Sequence, residues 1–245
     1  MDTRTIHQSI CLTVGHSIKE IALYINADLK QRAAVRFNAS DWVASPMPGV
    51  ERRMLDRVGE EVARATSIVR FAPGSAFSAH AHDGGEEYIV LDGTFQDEDG
   101  DFPTGCYVRN PPTTSHTPAA TDGATILVKL HQFDPEDRTS VRLDTNQATW
   151  DQPAIGVERL LLHEDPREQV VMESWAPGTR RHLDATGGLE VFLLSGELSD
   201  GTDSIEAWDW LRLPPGSVFE AEAGPDGARL WFKSGHLSHV ADGPA

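Results

Sequence analysis

The chain has 245 residues, enough for one large all-β domain or two small ones. It carries 38 acidic residues against 21 basic ones, a net charge of −17 that repels phosphate backbones and argues against nucleic-acid binding. Apolar content of 39% and charged content of 24% describe a soluble globular protein, with no apolar run long enough to span a bilayer and no basic amphipathic stretch for a membrane surface.

The N-terminal stretch MDTRTIHQSICLTVGHS lacks a charged region followed by a clean apolar core, so no signal peptide is expected and a cytoplasmic location is. Cys11 and Cys106 form no CxxC pair, which fits a reducing compartment. Ser17 to Arg32 is the one stretch that reads as helical, without a strong period. Strand signals follow. Val62 to Phe71 is bounded by Pro73-Gly74, and Glu87 to Leu91 ends at Asp92-Gly93, a hairpin signal. Gly105 opens a strand carrying Tyr107 and Arg109, and Thr125 to Leu130 is another apolar run. Many short strands with regular Pro/Gly punctuation predict an all-β sandwich or closed barrel.

Residues 74–93 carry the chemistry. His80 and His82 lie one residue apart, Glu86 follows, and Gly74 and Gly93 bracket them. On a strand, residues i and i+2 share a face, so the two imidazoles point the same way. Gly84 and Gly85 let the chain turn so that the Glu86 carboxylate comes back toward them, while Asp83 reads as a turn residue. Pro111-Pro112 stiffens the approach to His116. Three imidazoles and one carboxylate suit a borderline divalent ion, so His80, His82, Glu86 and His116 are the expected metal ligands. Fe2+ or Zn2+ is expected first, and Mn2+ or Ni2+ also fits.

This spacing resembles the two cupin motifs, G-x5-H-x-H-x3-E-x6-G and G-x5-P-x-G-x2-H-x3-N. The first matches at every fixed position from Gly74 to Gly93, and the second at Gly105, Pro111 and His116. Thr113 stands where the family usually has Gly, and Ala120 where it often has Asn. The wording SPMPGVERRML, RFAPG, GGEEYIVLDGTF and YVRNPP is similar to the cupin domain of ChrR-type anti-sigma factors and to free-standing bicupins related to them. The resemblance is strong over about residues 40–135. His7 and Cys11 resemble the start of the HxxxCxxC zinc motif of the anti-sigma domain, but Val14 replaces the last cysteine, so a sigma factor is not an expected partner.

The chain also repeats itself. Gly49-Val50-Glu51-Arg52 recurs as Gly156-Val157-Glu158-Arg159, Ala72-Pro73-Gly74 as Ala176-Pro177-Gly178, and Pro111-Pro112 as Pro214-Pro215. Two copies of one β-unit imply a bicupin, two tandem double-stranded β-helix (jelly-roll) barrels. The expected division is an N-terminal segment over 1–40, a metal-binding cupin over 41–140 and a second, degenerate cupin over 141–245. The second copy has Arg180-Arg181-His182-Leu183-Asp184 in place of the HxH segment; Glu86 maps to Leu189 and His116 to Phe219. One metal per chain is therefore expected. Glu87 maps to Glu190 and reads as a shared structural group, an ion-pair or hydrogen-bond partner, rather than a ligand.

Two functions fit. The resemblance allows a dioxygenase-type enzyme, with two metal positions open to a small chelating substrate and oxygen and with Glu86 as a base. The alternative it allows is a ChrR-like zinc cupin that senses reactive oxygen species or binds a ligand without catalysis. A small-molecule ligand is expected either way, and a homodimer is compatible. Arg70, Tyr107, Arg109, Lys129 and His131 lie on strands beside the site but read first as surface or packing residues.

Overall fold

The structure, a computed structural model, describes residues 23–60 and 62–240. Among these residues no α-helix occurs, and single 3₁₀ turns at Phe37–Ala39 and His236–Ser238 interrupt a succession of strands. The molecule is a bicupin of two jelly-roll units. One sheet sets the strands Val50–Gly59, Ala63–Phe71, Ala124–Leu130, Glu86–Asp97 and Cys106–Asn110 side by side; the other repeats that order with Val157–Glu164, Gln169–Trp175, Ser217–Ser234, Leu189–Ser199 and Trp210–Leu213.

The apolar runs have a simple cause. In Ala124–Leu130, Ile126 and Val128 enter the core of the first barrel, while Leu127 joins a second core between the barrels. Both faces of the strand are buried, so it reads as continuous rather than alternating hydrophobicity. Gln169–Trp175 behaves alike, with Val171 and Trp175 inside the second barrel and Val170 and Met172 in the seam. Trp210 and Trp231, each 1% exposed, anchor that seam. Burial of such side chains contributes about 1.5–3 kcal/mol each.

The seam also holds a reciprocal pair of buried ion pairs. Lys233 of the second unit donates to Glu87 of the first at 2.6 Å, and Lys129 of the first donates to Glu190 of the second at 2.7 Å. Tyr107 donates to Glu87 at 2.6 Å, and Trp210, its counterpart, donates to Glu190 at 3.1 Å. Burial alone would raise the Glu190 carboxyl, but Lys129 and His236 outweigh it and hold it well below the usual range. Glu87 is likewise held low against burial by Lys233.

Strands cross between the units. Ala33–Val35, which precedes the first barrel in sequence, pairs with Trp210–Leu213 of the second. Val141–Asp144, which precedes the second, pairs with Cys106–Asn110 of the first. Sheets and sequence repeats thus do not share an edge.

Two expectations are corrected. The helical reading of Ser17 to Arg32 fails where it can be checked: Tyr24–Ile25 is a strand paired with Arg57 and Val58. Residues 17–22, like His7, Cys11 and Val14, lie outside the described residues. Asp92-Gly93 is not a hairpin turn, because the strand runs on from Glu86 to Asp97 with an irregular register near that point. Gly93 has φ +73°, and a Cβ there would stand 2.2 Å from the Gly123 carbonyl oxygen. The glycine marks a bulge and a close backbone approach, which sequence alone does not distinguish from a turn.

Candidate metal centre

A short ribbon builds the site. His80–Ala81 pairs with Ser115–His116, setting His116 directly opposite His80, and Glu86 opens the long strand that follows. Thr113 takes φ +78°, the left-handed region, at the position where the motif usually has glycine. A Cβ on Gly84 would stand 2.2 Å from Nδ1 of His131, so the turn between His82 and Glu86 tolerates no side chain there.

One donor atom from each of His80, His82, Glu86 and His116 lies within 4.8 Å of the other three. The imidazole centroids are 4.5–5.2 Å apart. Each Nδ1 has a partner: the Ser78 carbonyl at 3.1 Å for His80, the Thr114 hydroxyl at 2.8 Å for His82, and Asp97 at 3.1 Å for His116. The buried Nε2 atoms of His82 and His116 have no hydrogen-bond partner, and both stand 3.4 Å from Oε2 of Glu86. Asn110 donates to that same oxygen at 3.1 Å. Burial lowers His82 to about 4, partly offset by Glu86 and reinforced by His116 and His80, so it offers a neutral lone pair. Unpartnered buried imidazole nitrogens converging on one carboxylate oxygen are costly as they stand and fit a bound cation.

The four sequence-predicted residues therefore come together. Asp97, Thr114 and Asn110, which orient them, carry no spacing signal and were not foreseen. Glu87 points away into the seam, 2% exposed and bound to Lys233, as the repeat implied. Tyr107, Arg109 and Lys129 also serve the seam: Arg109 pairs with Asp137 at 2.6 Å and Glu168 at 2.8 Å. Arg70 lies on the surface against Glu51. Only His131 of that group reaches the site, where a cavity of about 510 Å³ adjoins His80, His82 and Glu86 between apolar walls that include Met47, Phe71, Phe77 and Val128.

The second barrel replaces the site with core. His80 pairs with His116, and in the same way Leu183 pairs with Phe219. The step that carries His80 to Leu183 carries His82 to Ala185, Glu86 to Leu189 and His116 to Phe219, and all four pack together in the second core. His182 lies outside on the surface with Glu220 at 2.9 Å, which raises its pKa. Among the described residues one further trio could hold an ion: Asp137, His163 and Asp165 at the seam. There the Arg109 guanidinium already occupies Asp137, and the Arg167 and Glu168 amides occupy Asp165.

The model of the ChrR cupin-like domain matches residues 30–134 and again residues 138–238. The chain belongs to this family. No curated protein matches it. Among solved structures this ChrR-like bicupin is similar to a putative dioxygenase from Nostoc punctiforme, with a TM-score of 0.70 and 17% identity over 88% of this chain and 87% of that one. It is also similar to the Escherichia coli pirin YhhW in complex with nickel(II), with a TM-score of 0.61 and 12% identity over 84% of this chain and 99% of that one. Oxalate decarboxylase from Lactobacillus farciminis gives a TM-score of 0.59 and 10% identity over 85% and 87%. These likenesses describe the fold. Among the described residues, no helix is long and apolar enough to cross a membrane.

Proposed function

We propose that this protein is a dioxygenase-type cupin enzyme that holds one divalent metal, Fe2+ first among the candidates, through His80, His82, Glu86 and His116. The observation that carries the reading is the cavity of about 510 Å³ with three of these four residues in its wall. A structural ion would sit in a closed shell, whereas a catalytic one needs room for substrate and oxygen. The putative dioxygenase and the nickel-bound pirin among its structural neighbours agree with metal and oxygen chemistry on this fold.

When bound, the metal would supply Lewis acidity and a meeting point for substrate and oxygen. This chain's residues do the rest. His80, His82 and His116 present Nε2 because Ser78, Thr114 and Asp97 engage Nδ1. Glu86, with Oε2 between two imidazoles and under the Asn110 amide, is placed to accept a proton from a substrate hydroxyl or enol beside it. Apolar walls line the space beside that proton transfer. The buried free thiol of Cys106 accords with a reducing compartment.

Metal analysis of protein purified without added metal tests the reading, together with oxygen uptake over a panel of β-diketones, enediols and hydroxyphenyl ketones. Iron with oxygen consumption supports it. Stoichiometric zinc, inert to every compound and released by oxidant, would replace it with the sensing role.

A further inference from the structure

The repeat relates the two halves of the seam, and one position breaks the relation. In the first half Asp56 is buried, and Arg64 and Arg212 both close on it. The bulge between Met54 and Asp56 recurs between Leu161 and His163, so His163 is the counterpart of Asp56. Arg109 pairs across strands with Glu87 as Arg212 does with Glu190, which makes the two arginines counterparts. By the same registers, Arg64 maps to Glu168. In the second half, then, the aspartate has become a histidine and one of its arginines a glutamate. Arg109 accordingly turns to Glu168 at 2.8 Å and to Asp137 at 2.6 Å. His163 is left over. Its side chain is 6% exposed, and among the described residues its buried Nε2 has no hydrogen-bond partner. A buried ring nitrogen in that condition is costly unless something binds it.

Two carboxylates stand against that nitrogen. Oδ2 of Asp165 lies 3.5 Å from it, and one donor atom from each of Asp137, His163 and Asp165 lies within 4.8 Å of the other two. Both carboxylates are held in place. Oδ1 of Asp165 accepts the amides of Arg167 at 2.7 Å and Glu168 at 2.9 Å, which turns Oδ2 to His163. Asp137 accepts the Thr139 amide on Oδ1 at 2.7 Å and Arg109 on Oδ2 at 2.6 Å. Each of these oxygens has a second lone pair to offer. Arg109 is itself anchored away from the trio, on Glu168 and over the Phe133 ring at 4.1 Å. Carboxylates fixed by such outer contacts are what a metal ligand set requires. Asp137 lies in the link between the two matched segments, and Asp165 in the turn between Val157–Glu164 and Gln169–Trp175. The Asp165 side chain is 25% exposed, which gives an ion a way in.

We propose that Asp137, His163 and Asp165 form a second, weaker metal site, which takes a zinc-type divalent ion and clasps the link between the units to the second barrel. The site is separate from the centre at His80, His82, Glu86 and His116 and does not depend on its chemistry. One imidazole and two carboxylates suit Zn2+, whereas Ca2+ and Mg2+ take oxygen ligands. The net charge of −17 favours any cation near the surface. Three donors, one of them shared with a guanidinium, hold an ion less firmly than four. The site therefore empties during purification and fills when metal is supplied.

The test uses the His116→Ala protein, in which the first centre is disabled, with the wild type beside it. Chelator-treated protein is titrated with Zn2+ by calorimetry, and its melting temperature is read with and without the ion. The His116→Ala chain should bind zinc and melt higher in its presence. In that background His163→Gln and Asp165→Asn should each weaken the binding by at least about tenfold and remove the rise in melting temperature. Asp134→Asn should change neither, although Asp134 belongs to the same link and pairs with Arg167 at 3.1 Å. Melts of the metal-free variants check that they fold, and Asp165→Asn, at the more exposed donor, carries the test if His163→Gln does not. In the wild type the same two substitutions should lower zinc uptake at saturation by one ion per chain. A melting temperature that zinc does not raise, a rise that survives both substitutions, or an equal rise with Ca2+ would overturn the proposal.

Discussion

The two barrels of this molecule share a strand order, a seam and a set of turns, yet differ at the four positions where the first gathers polar donors. His80, His82, Glu86 and His116 face Leu183, Ala185, Leu189 and Phe219. The apolar set shows what the fold itself needs at these points, namely packed volume. The polar set contributes little to folding, since the buried Nε2 atoms of His82 and His116 find no protein partner. A barrel that keeps such groups gives up core for a site.

The sharpest way to break this comparison is to truncate the same position in both units. His116→Ala should reduce metal from about one per chain to near none, because three donors seldom retain what four hold. Phe219→Ala should leave metal content unchanged and cost about 3–5 kcal/mol of stability, read by chemical denaturation. Swapped outcomes would mean that the second barrel carries the site.

The adjacent glutamates sharpen it next. Glu87→Gln weakens a charged hydrogen bond to Lys233, which keeps Glu168, so a loss of about 1.5–3 kcal/mol with normal metal content is expected. Glu86→Gln should do the reverse, emptying the site with little effect on the melt of the metal-free protein. Elemental analysis beside a melting curve decides both.

Asp97 comes next in size. It holds Nδ1 of His116, and Asp97→Asn should weaken metal binding by about 10- to 100-fold without removing a ligand. Competition with a chromophoric chelator measures this.

Acid should separate loaded from metal-free protein. His236 is lowered by burial, and His82 is lowered to about 4 by burial in the metal-free site. The unfolded chain therefore binds protons first as pH falls below about 6.5, and stability is lost from there downward. The depressed Glu87 and Glu190 carboxyls contribute stability above about 4.5 that disappears as pH falls further, through their folded values. Denaturation midpoints at pH 8, 6 and 5 should decline more steeply with metal present, since the ligated histidines take no proton while the unfolded chain takes up one at each. An identical decline in both forms would count against the histidines as ligands.

The smallest effect concerns Thr113. A β-branched residue at φ +78° is strained, and Thr113→Gly should raise stability by up to about 1 kcal/mol while keeping the amide bond to the His82 carbonyl at 3.2 Å. A loss of stability would show that the threonine side chain is needed there.

The repeat made most of this legible. Because the chain carries its own degenerate copy, Glu87 could be told from Glu86 by its survival as Glu190, and the seam bears that out. The four clustered residues were readable because strand alternation and turn glycines fix local direction. Asp97 and Thr114 were not, because their roles depend on pairings between distant segments. Asp92-Gly93 misled because a bulge and a hairpin use the same residues.

The crossed strands bear on how the molecule is made. On the ribosome, Ala33–Val35 emerges early, yet its partner Trp210–Leu213 is among the last strands to appear. Its edge must wait, unpaired, through most of synthesis. The first barrel can close soon after Val141–Asp144 is out, whereas the second is sealed only when a strand more than half the chain away folds back onto it. A nascent chain stalled just after Val141–Asp144 has left the exit tunnel should thus already protect the histidine cluster from exchange while the N-terminal strand remains open to proteolysis.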